Sequence, residues 1–143
     1  MQIIGFNLSK ILIERKDKLP QQMQISQNIN IKEVSKEKIP FSGEEVIKMA
    51  FNFTISYPED SAKLEFEGNI ILLPDPEQFK TFLKEWKDKN IPENVRIPLF
   101  NFIMNKCNIK ALSLEDELNL PYHLPLPRVN PETNNAEDSK KSK

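Results

Sequence analysis

The chain has 143 residues, of which 38% are hydrophobic and 29% charged, a composition that fits one globular domain. Its 20 lysines and arginines and 21 aspartates and glutamates give a net charge of −1, which offers nucleic-acid phosphates no long-range attraction. The single cysteine excludes an intrachain disulfide, and no stretch approaches the roughly 18 consecutive apolar residues of a membrane span. At the N-terminus the positive charges follow the apolar stretch, unlike in a signal peptide. We therefore expect a cytoplasmic protein with no nucleic-acid or membrane partner.

Two stretches of alternating residues predict a long β-hairpin. The odd positions are apolar between residues 46 and 57, and the even positions are apolar from Ala62 to Leu72. A period of two residues is typical of a strand with one buried face. The segment Tyr57-Pro58-Glu59-Asp60-Ser61 between them consists mainly of residues that favour turns. The two strands are therefore expected to pair in antiparallel fashion.

Two earlier strands are predicted at residues 2–15 and 24–34. In the first of them the apolar positions change phase near Ser9 and Lys10, which indicates a β-bulge. Together with the hairpin, these strands predict a four-stranded antiparallel sheet ordered as a meander.

Beyond the hairpin the spacing of apolar residues predicts two helices. Asp75 is the predicted N-cap of the first helix and Pro76 its first residue. The apolar face of this helix consists of Phe79, Phe82, Leu83 and Trp86. The second helix has Val95, Leu99, Phe102, Ile103 and Cys107 on one side. Pro98 either kinks that helix or marks its start. After Cys107 the apolar residues are irregularly spaced, and the prolines from Pro121 onward predict an extended path.

The predicted fold class is therefore α+β, a four-stranded antiparallel meander sheet with two helices packed on one side. We expect a single domain at residues 1–129. Residues 130–143 are almost entirely polar and cannot offset the entropy of ordering, so a disordered tail is predicted there.

The sequence does not contain the usual parts of a catalytic or metal site. His123 is the single histidine, and we interpret it as a loop imidazole with no special partner. Cys107 on a helix face is interpreted as a small buried hydrophobic residue rather than a nucleophile. The acidic run Glu115, Asp116 and Glu117 lacks the spacing and the glycine of a calcium loop and is interpreted as solvated or helix-starting. We therefore expect no catalytic residues, no metal, no cofactor and no enzymatic activity.

Two segments carry a resemblance to a known family. One is the hairpin FNFTISYPEDSAKLEFEGNIILL with its acidic turn, and the other is the helix-forming run IPLFNFIMNKCNIKALSL, with a proline and an aromatic residue at its start. In the order, spacing and turn chemistry of these features, the chain resembles the SecB family of chaperones for unfolded polypeptides, from about residue 5 to residue 120.

The resemblance implies a holdase, which binds non-native polypeptides. Only two helices of modest length follow the four long strands, which leaves sheet edges and apolar surface uncovered, so we expect a homotetramer built as a dimer of dimers. In the SecB family, acidic residues on the exposed sheet face help to dock the translocase motor, and Glu14 and Glu67 match two such positions. Lys10 stands where a further acid is expected. A translocation partner is therefore a secondary expectation.

Client binding needs exposed apolar and aromatic side chains close to a sheet edge, because unfolded chains offer both side chains and unpaired backbone. The candidate residues are Phe79, Phe82 and Trp86 on the first helix, with Tyr122 and Leu124 in the proline-rich segment. The helical stripe fits a simple core face equally well. Two other functions stay open: an oligomeric adaptor or scaffold that docks a partner through residues Pro121–Arg128, and a chaperone dedicated to one partner such as an antitoxin.

Overall fold

The computed structural model describes residues 2–127, so the predicted tail and the domain boundary at residue 129 lie outside the described residues. The elements are β1 (Gln2–Arg15), β2 (Ser26–Lys38), β3 (Glu45–Ser56), β4 (Ala62–Leu73), α1 (Pro76–Trp86) and α2 (Glu93–Glu117). The strands form one antiparallel sheet, and both helices contribute buried residues to a single core. The α+β class is therefore confirmed. Neither helix among these residues is long and apolar enough to cross a membrane.

The order of the strands in the sheet is β1-β4-β3-β2, so the predicted meander is correct only for β2, β3 and β4. Strand β1 pairs with β4 and lies at the opposite edge from β2. The connection at residues 16–25 crosses the end of the sheet where Arg15 faces Ala62 and Ser26 faces Ser56. Three strand spacings amount to roughly 14 Å, which a connection of this length spans easily. Strand β1 therefore pairs with β4 and not with β2, the strand that follows it in the sequence.

The predicted β-bulge lies at Ser9, where the pairing of β1 with β4 shifts register between Leu8 and Lys10. On the facing strand a Cβ added to Gly68 would lie 2.3 Å from the carbonyl oxygen of Asn7. Only a glycine admits such a close approach of two strands. The bulge shifts the register between β1 and β4, and Gly68 lets the two strands lie close together at that point.

The core lies on one face of the sheet, beneath the helices. Its sheet half comes from the odd positions of β3 and the even positions of β4, namely Ile47, Met49, Phe51, Phe53, Ile55, Leu64, Phe66, Ile70 and Leu72. The other face carries lysines, glutamates and asparagines that are half-buried or exposed. The alternation in the sequence is thus the division between the two faces.

Helix α1 begins as predicted. The carboxylate of Asp75 accepts a hydrogen bond from the backbone N–H of Gln78 at 2.8 Å, and the Gln78 side chain accepts one in return from the N–H of Asp75. Such a capping box satisfies two of the amide groups that a helix start leaves free. Pro76 takes the first helical position, where its missing N–H costs nothing.

Helix α2 is longer than predicted, because it continues past Cys107 to Glu117 and passes through Pro98 without ending. The prediction that residues beyond Cys107 are irregular is therefore wrong. The buried positions recur every four residues as Leu99, Ile103, Cys107, Ala111 and Glu115. The exposed Ile109 and the partly buried Leu112 and Leu114 lie off this stripe, so the apolar residues beyond Cys107 look irregularly spaced in the sequence.

Candidate functional site

The first candidate surface is the buried face of α1 and its surroundings. Phe79 is 8% exposed and Phe82 is 1% exposed, and both belong to the core. Phe79 nevertheless lines an open cavity of about 560 Å³ at the end of the sheet where β4 leads into α1. The cavity is walled by Glu44, Glu45, Leu73, Pro74, Pro76, Phe79 and Lys80. Its apolar side chains with a charged rim suit a mixed apolar and polar ligand.

Strand β2 approaches this cavity from the side. The Nζ atom of Lys36 lies 5.4 Å from the centre of the Phe79 ring, a distance at which a cation is attracted to the ring face. Within the described residues, β2 pairs with β3 alone and is an outer strand. An outer strand leaves one row of N–H and C=O groups available for another chain. The apolar cavity and the open strand edge are therefore close neighbours.

Trp86 closes α1 and is partly buried, packed against the core, with the Nζ atom of Lys89 4.8 Å from its ring centre. Of the three candidate aromatic residues on α1, Trp86 is thus the most accessible. It does not line the cavity beside Phe79.

Tyr122 and Leu124 lie elsewhere, in the segment that follows α2. Tyr122 is 40% exposed, and its hydroxyl donates to Oδ1 of Asp116 at 2.8 Å. The hydrogen bond to Asp116 raises the pKa of Tyr122 above its usual value. Leu124 is partly buried. Neither residue lines the cavity beside Phe79, so the five candidate residues do not form one continuous wall.

The segment after α2 is fastened by a buried polar cluster that sequence reasoning missed. Glu115 is fully buried, and its carboxylate accepts from the backbone N–H of His123 at 3.1 Å. The His123 Nδ1 atom lies 2.7 Å from Oε2 of Glu115, and its Nε2 atom lies 2.8 Å from Oδ1 of Asn108. The interpretations of His123 as a loop imidazole without a partner and of Glu115 as solvated are therefore wrong. The signal was present in the sequence, because Glu115 lies four residues after Ala111 on the stripe of α2.

Two further residues hold the same segment against the sheet. Tyr57, directly after β3, donates a hydrogen bond from its hydroxyl to the carbonyl oxygen of Pro121. Burial and the nearby carboxylate of Glu115 raise the pKa of Tyr57 well above its usual range. Arg15 donates from Nη1 to the carbonyl oxygens of Leu118 and Asn119, both at 3.0 Å, and so satisfies the end of α2.

The role of this cluster is structural. The side chains of His123 and Glu115 are 1% and 0% exposed, and their polar atoms are hydrogen-bonded to each other and to Asn108.

Burial raises the pKa of the Cys107 thiol to about 12, which leaves it protonated and a poor nucleophile at neutral pH. Within the described residues no three histidine, cysteine, aspartate or glutamate side chains come together as a metal site.

The opposite face of the sheet carries an ion-pair network that includes one of the two predicted partner-binding acids. Glu67 lies 2.8 Å from Nζ of Lys32, and Glu65 lies 2.7 Å from Nζ of Lys10. Hydrogen bonds from these lysines lower the pKa values of both carboxylates. Glu14, the second predicted partner-binding residue, is exposed and faces Lys63 across β1 and β4.

Comparison with known proteins gives one line of evidence, which concerns the fold. No protein-family model matches the chain, and no curated protein matches it. Among solved structures, the chain is similar to the Mycobacterium tuberculosis Rv1957 SecB-like chaperone in complex with a ChAD peptide from the Rv1956 HigA1 antitoxin. The similarity covers 90% of this chain and 87% of that chain, with a TM-score of 0.51 and 15% sequence identity. The chain therefore has a SecB-like fold, distant in sequence from that chaperone.

Proposed function

We propose that this protein is a cytoplasmic chaperone of the holdase type, without enzymatic activity, that binds extended segments of unfolded polypeptide. The observation that carries the proposal is the open apolar cavity beside Phe79, on a fold like that of a chaperone whose structure contains a bound peptide. An unfolded segment offers apolar side chains to such a cavity and unpaired backbone to an outer strand. The open edge of β2 lies next to this cavity and can pair with the backbone of such a segment.

The test is the binding of a permanently unfolded, fluorescently labelled polypeptide, followed by anisotropy. Leu73 lines the cavity and is partly buried, so Leu73→Gln places an amide in the apolar wall at a modest cost in packing. We expect it to weaken binding about tenfold, which corresponds to roughly 1.4 kcal/mol. The matched control is Leu126→Gln, because Leu126 is 44% exposed and lies outside the cavity. Equal affinity of both variants and the unchanged chain would reject this cavity, and no binding at all would reject the function.

A second candidate function is a chaperone dedicated to one partner, which the antitoxin peptide in the similar structure favours. The two functions differ in selectivity. A general holdase should bind several unrelated unfolded polypeptides within about tenfold of one another in affinity, which is a spread of about 1.4 kcal/mol. A dedicated chaperone should bind one segment far more tightly than the rest. A part in export stays a prediction that rests on Glu14 and Glu67, and Glu67 is engaged by Lys32.

A further inference from the structure

The turn between β2 and β3 presents the most exposed large apolar side chain among the described residues. Phe41 is 102% exposed, so its ring lies entirely in solvent. Two backbone hydrogen bonds of 2.9 Å close the turn, from the N–H of Ile39 to the carbonyl of Glu44 and from the N–H of Gly43 to the carbonyl of Ile39. Gly43 has a φ of 72°, a conformation that favours glycine. The turn therefore holds Phe41 outward as a fixed projection.

The cavity beside Phe79 lies next to this projection. Glu44 and Glu45 directly follow the turn and form one side of the cavity, and Leu73 belongs to its apolar side. Phe41 itself does not line the cavity, because the closed turn directs its ring into solvent. An apolar projection and an apolar socket are thus neighbours on the surface of one chain.

We infer that a second copy of this chain occupies the cavity, with the Phe41 ring of each copy inserted into the cavity of the other. A two-fold contact between identical chains requires a surface that fits itself, so that residue i of one copy meets residue j of the other and the reverse. A projection beside a socket meets this requirement, because one rotation fills both cavities at once. The cavity, at about 560 Å³, has room for a phenyl ring.

The charges around the cavity favour a copy of the same chain over a partner that carries one sign of charge. Lys38 lies opposite Glu45 in the pairing of β2 with β3, and Lys80 and Glu44 line the cavity. Lys38, Lys80 and Glu44 are exposed, and none of the three forms an ion pair within residues 2–127. A patch with both signs of charge can complement itself across a two-fold axis, whereas a partner of one sign would meet like charges, which is unfavourable.

The contact is weak by itself. A phenylalanine buries roughly 150–250 Å², so two rings bury roughly 300–500 Å²; even doubled for the cavity walls, this stays below the roughly 1,200 Å² of a stable interface. Two copies therefore separate readily, and an unfolded polypeptide that binds the same cavity displaces Phe41. This last consequence rests on the proposed function, whereas the contact between copies does not.

Disulfide trapping tests the contact without a client. Chains with Phe41→Cys and with Lys80→Cys are mixed, one of them carrying a mass tag, and oxidised mildly; Cys107 is fully buried and stays out of the reaction. We expect cross-linked pairs of one chain of each kind, in a yield that rises with protein concentration. The control pair is Ile109→Cys with Lys80→Cys, because Ile109 is also exposed but lies on α2, outside the turn and the cavity.

A yield no higher than that of the control pair would overturn the contact. A chain with both Phe41→Cys and Lys80→Cys that forms a disulfide within itself would place Phe41 over its own cavity and overturn the contact as well. Cross-linking above the control in a protein that binds no unfolded polypeptide would overturn the proposed function and leave the contact between copies standing.

The affinity for a labelled unfolded polypeptide supplies the second measurement. The apparent dissociation constant is the intrinsic one divided by the fraction of open cavities, so where half of the cavities are occupied, Phe41→Ser should tighten apparent binding about twofold. Ile109→Ser is the matched control and should leave the affinity unchanged. Weaker binding by Phe41→Ser would make Phe41 a part of the client site and overturn its place in the cavity of a second copy.

Discussion

At the scale of single residues, the most consequential contact is the buried pair of Glu115 and His123. Their side chains are essentially inaccessible, and the pair joins the last turn of α2 to the segment that follows it. Burying two such groups is expensive, so the pair adds little net stability compared with apolar residues of similar size. Removing one partner alone is different, because the other is left buried without a counterpart.

We therefore predict that His123→Ala lowers the free energy of unfolding by about 3–5 kcal/mol, measured by urea denaturation. Replacing both Glu115 and His123 with leucine should cost less than the single change, since no unpaired carboxylate remains. Tyr122→Phe is the control, because its hydroxyl bonds to Asp116 at an exposed position and its loss should cost under about 1 kcal/mol. A loss below about 1 kcal/mol in His123→Ala would contradict the role of the pair.

At the scale of elements, α1 combines a buried face with a more accessible end. Phe82 is a core residue, whereas Trp86 is only partly buried. The same stripe therefore contributes to stability at one position and is available for contact at another. Because Trp86 is the single tryptophan, its fluorescence reports this position alone.

If client segments cross α1, an unfolded polypeptide should shield Trp86 from a soluble quencher, measured as a drop in quenching of its fluorescence. Trp86→Ala should weaken client binding by about 1–3 kcal/mol, because large aromatic side chains dominate such contacts, and it should cost less stability than Phe82→Ala, because Trp86 is only partly buried. Phe82→Ala should instead destabilise the fold by about 3–5 kcal/mol. Unchanged quenching on client addition, with unchanged affinity in Trp86→Ala, would remove Trp86 from the client-binding surface.

The sheet face opposite the helices should contribute to the pH dependence of stability. Hydrogen bonds from Lys10 and Asn52 lower the pKa of Glu65 below its usual value of 4.5. A carboxylate with a lowered pKa in the folded state adds stability above about pH 4.5, and this stability is lost as the pH falls through the folded-state pKa.

We predict that Glu65→Gln reduces the loss of stability on acidification below about pH 4.5, measured as the melting temperature across pH. The matched control is Glu33→Gln, an exposed position on β2 for which no ion pair is found among the described residues. If both variants show the acid dependence of the unchanged chain, the network does not supply it.

At the scale of the whole molecule, the sheet has more surface than one layer of helices covers. Strands β1 and β2 are both outer strands, and Ile4 and Ile11 on β1 are 42% and 48% exposed. Outer strands with exposed apolar side chains invite pairing with another chain unless symmetry closes them. The sheet is therefore suited to association between copies.

We predict a homotetramer arranged as a dimer of dimers, with a light-scattering mass four times the chain mass of 16.7 kDa at micromolar concentration. Ile11→Lys should lower that mass, because a charge at the β1 edge opposes pairing. Ile109→Lys on α2, where Ile109 is 72% exposed, is the control and should leave the mass unchanged. A mass equal to that of one chain would contradict the prediction.

The sequence by itself determined the features that depend on local periodicity and local chemistry. The alternation at residues 46–57 and 62–72 separates a buried face from a polar one, whatever lies beyond the hairpin. The capping box at Asp75 and the bulge at Ser9 also follow from neighbouring residues, since their hydrogen bonds and phase changes are local.

The tertiary structure decided what depends on partners distant in sequence. Strand β1 lies beside β4 because the chain crosses the end of the sheet, a choice that no local pattern records. The spacing of the α2 stripe places Glu115 on the buried face, but only the tertiary structure shows that His123 and Asn108 form the polar cluster that makes its burial possible. The cavity beside Phe79 likewise forms between residues 44–45 and residues 73–80, which are distant in sequence. Alternation fixes which side chains are buried, but only packing decides which buried groups find polar partners and which surfaces stay open.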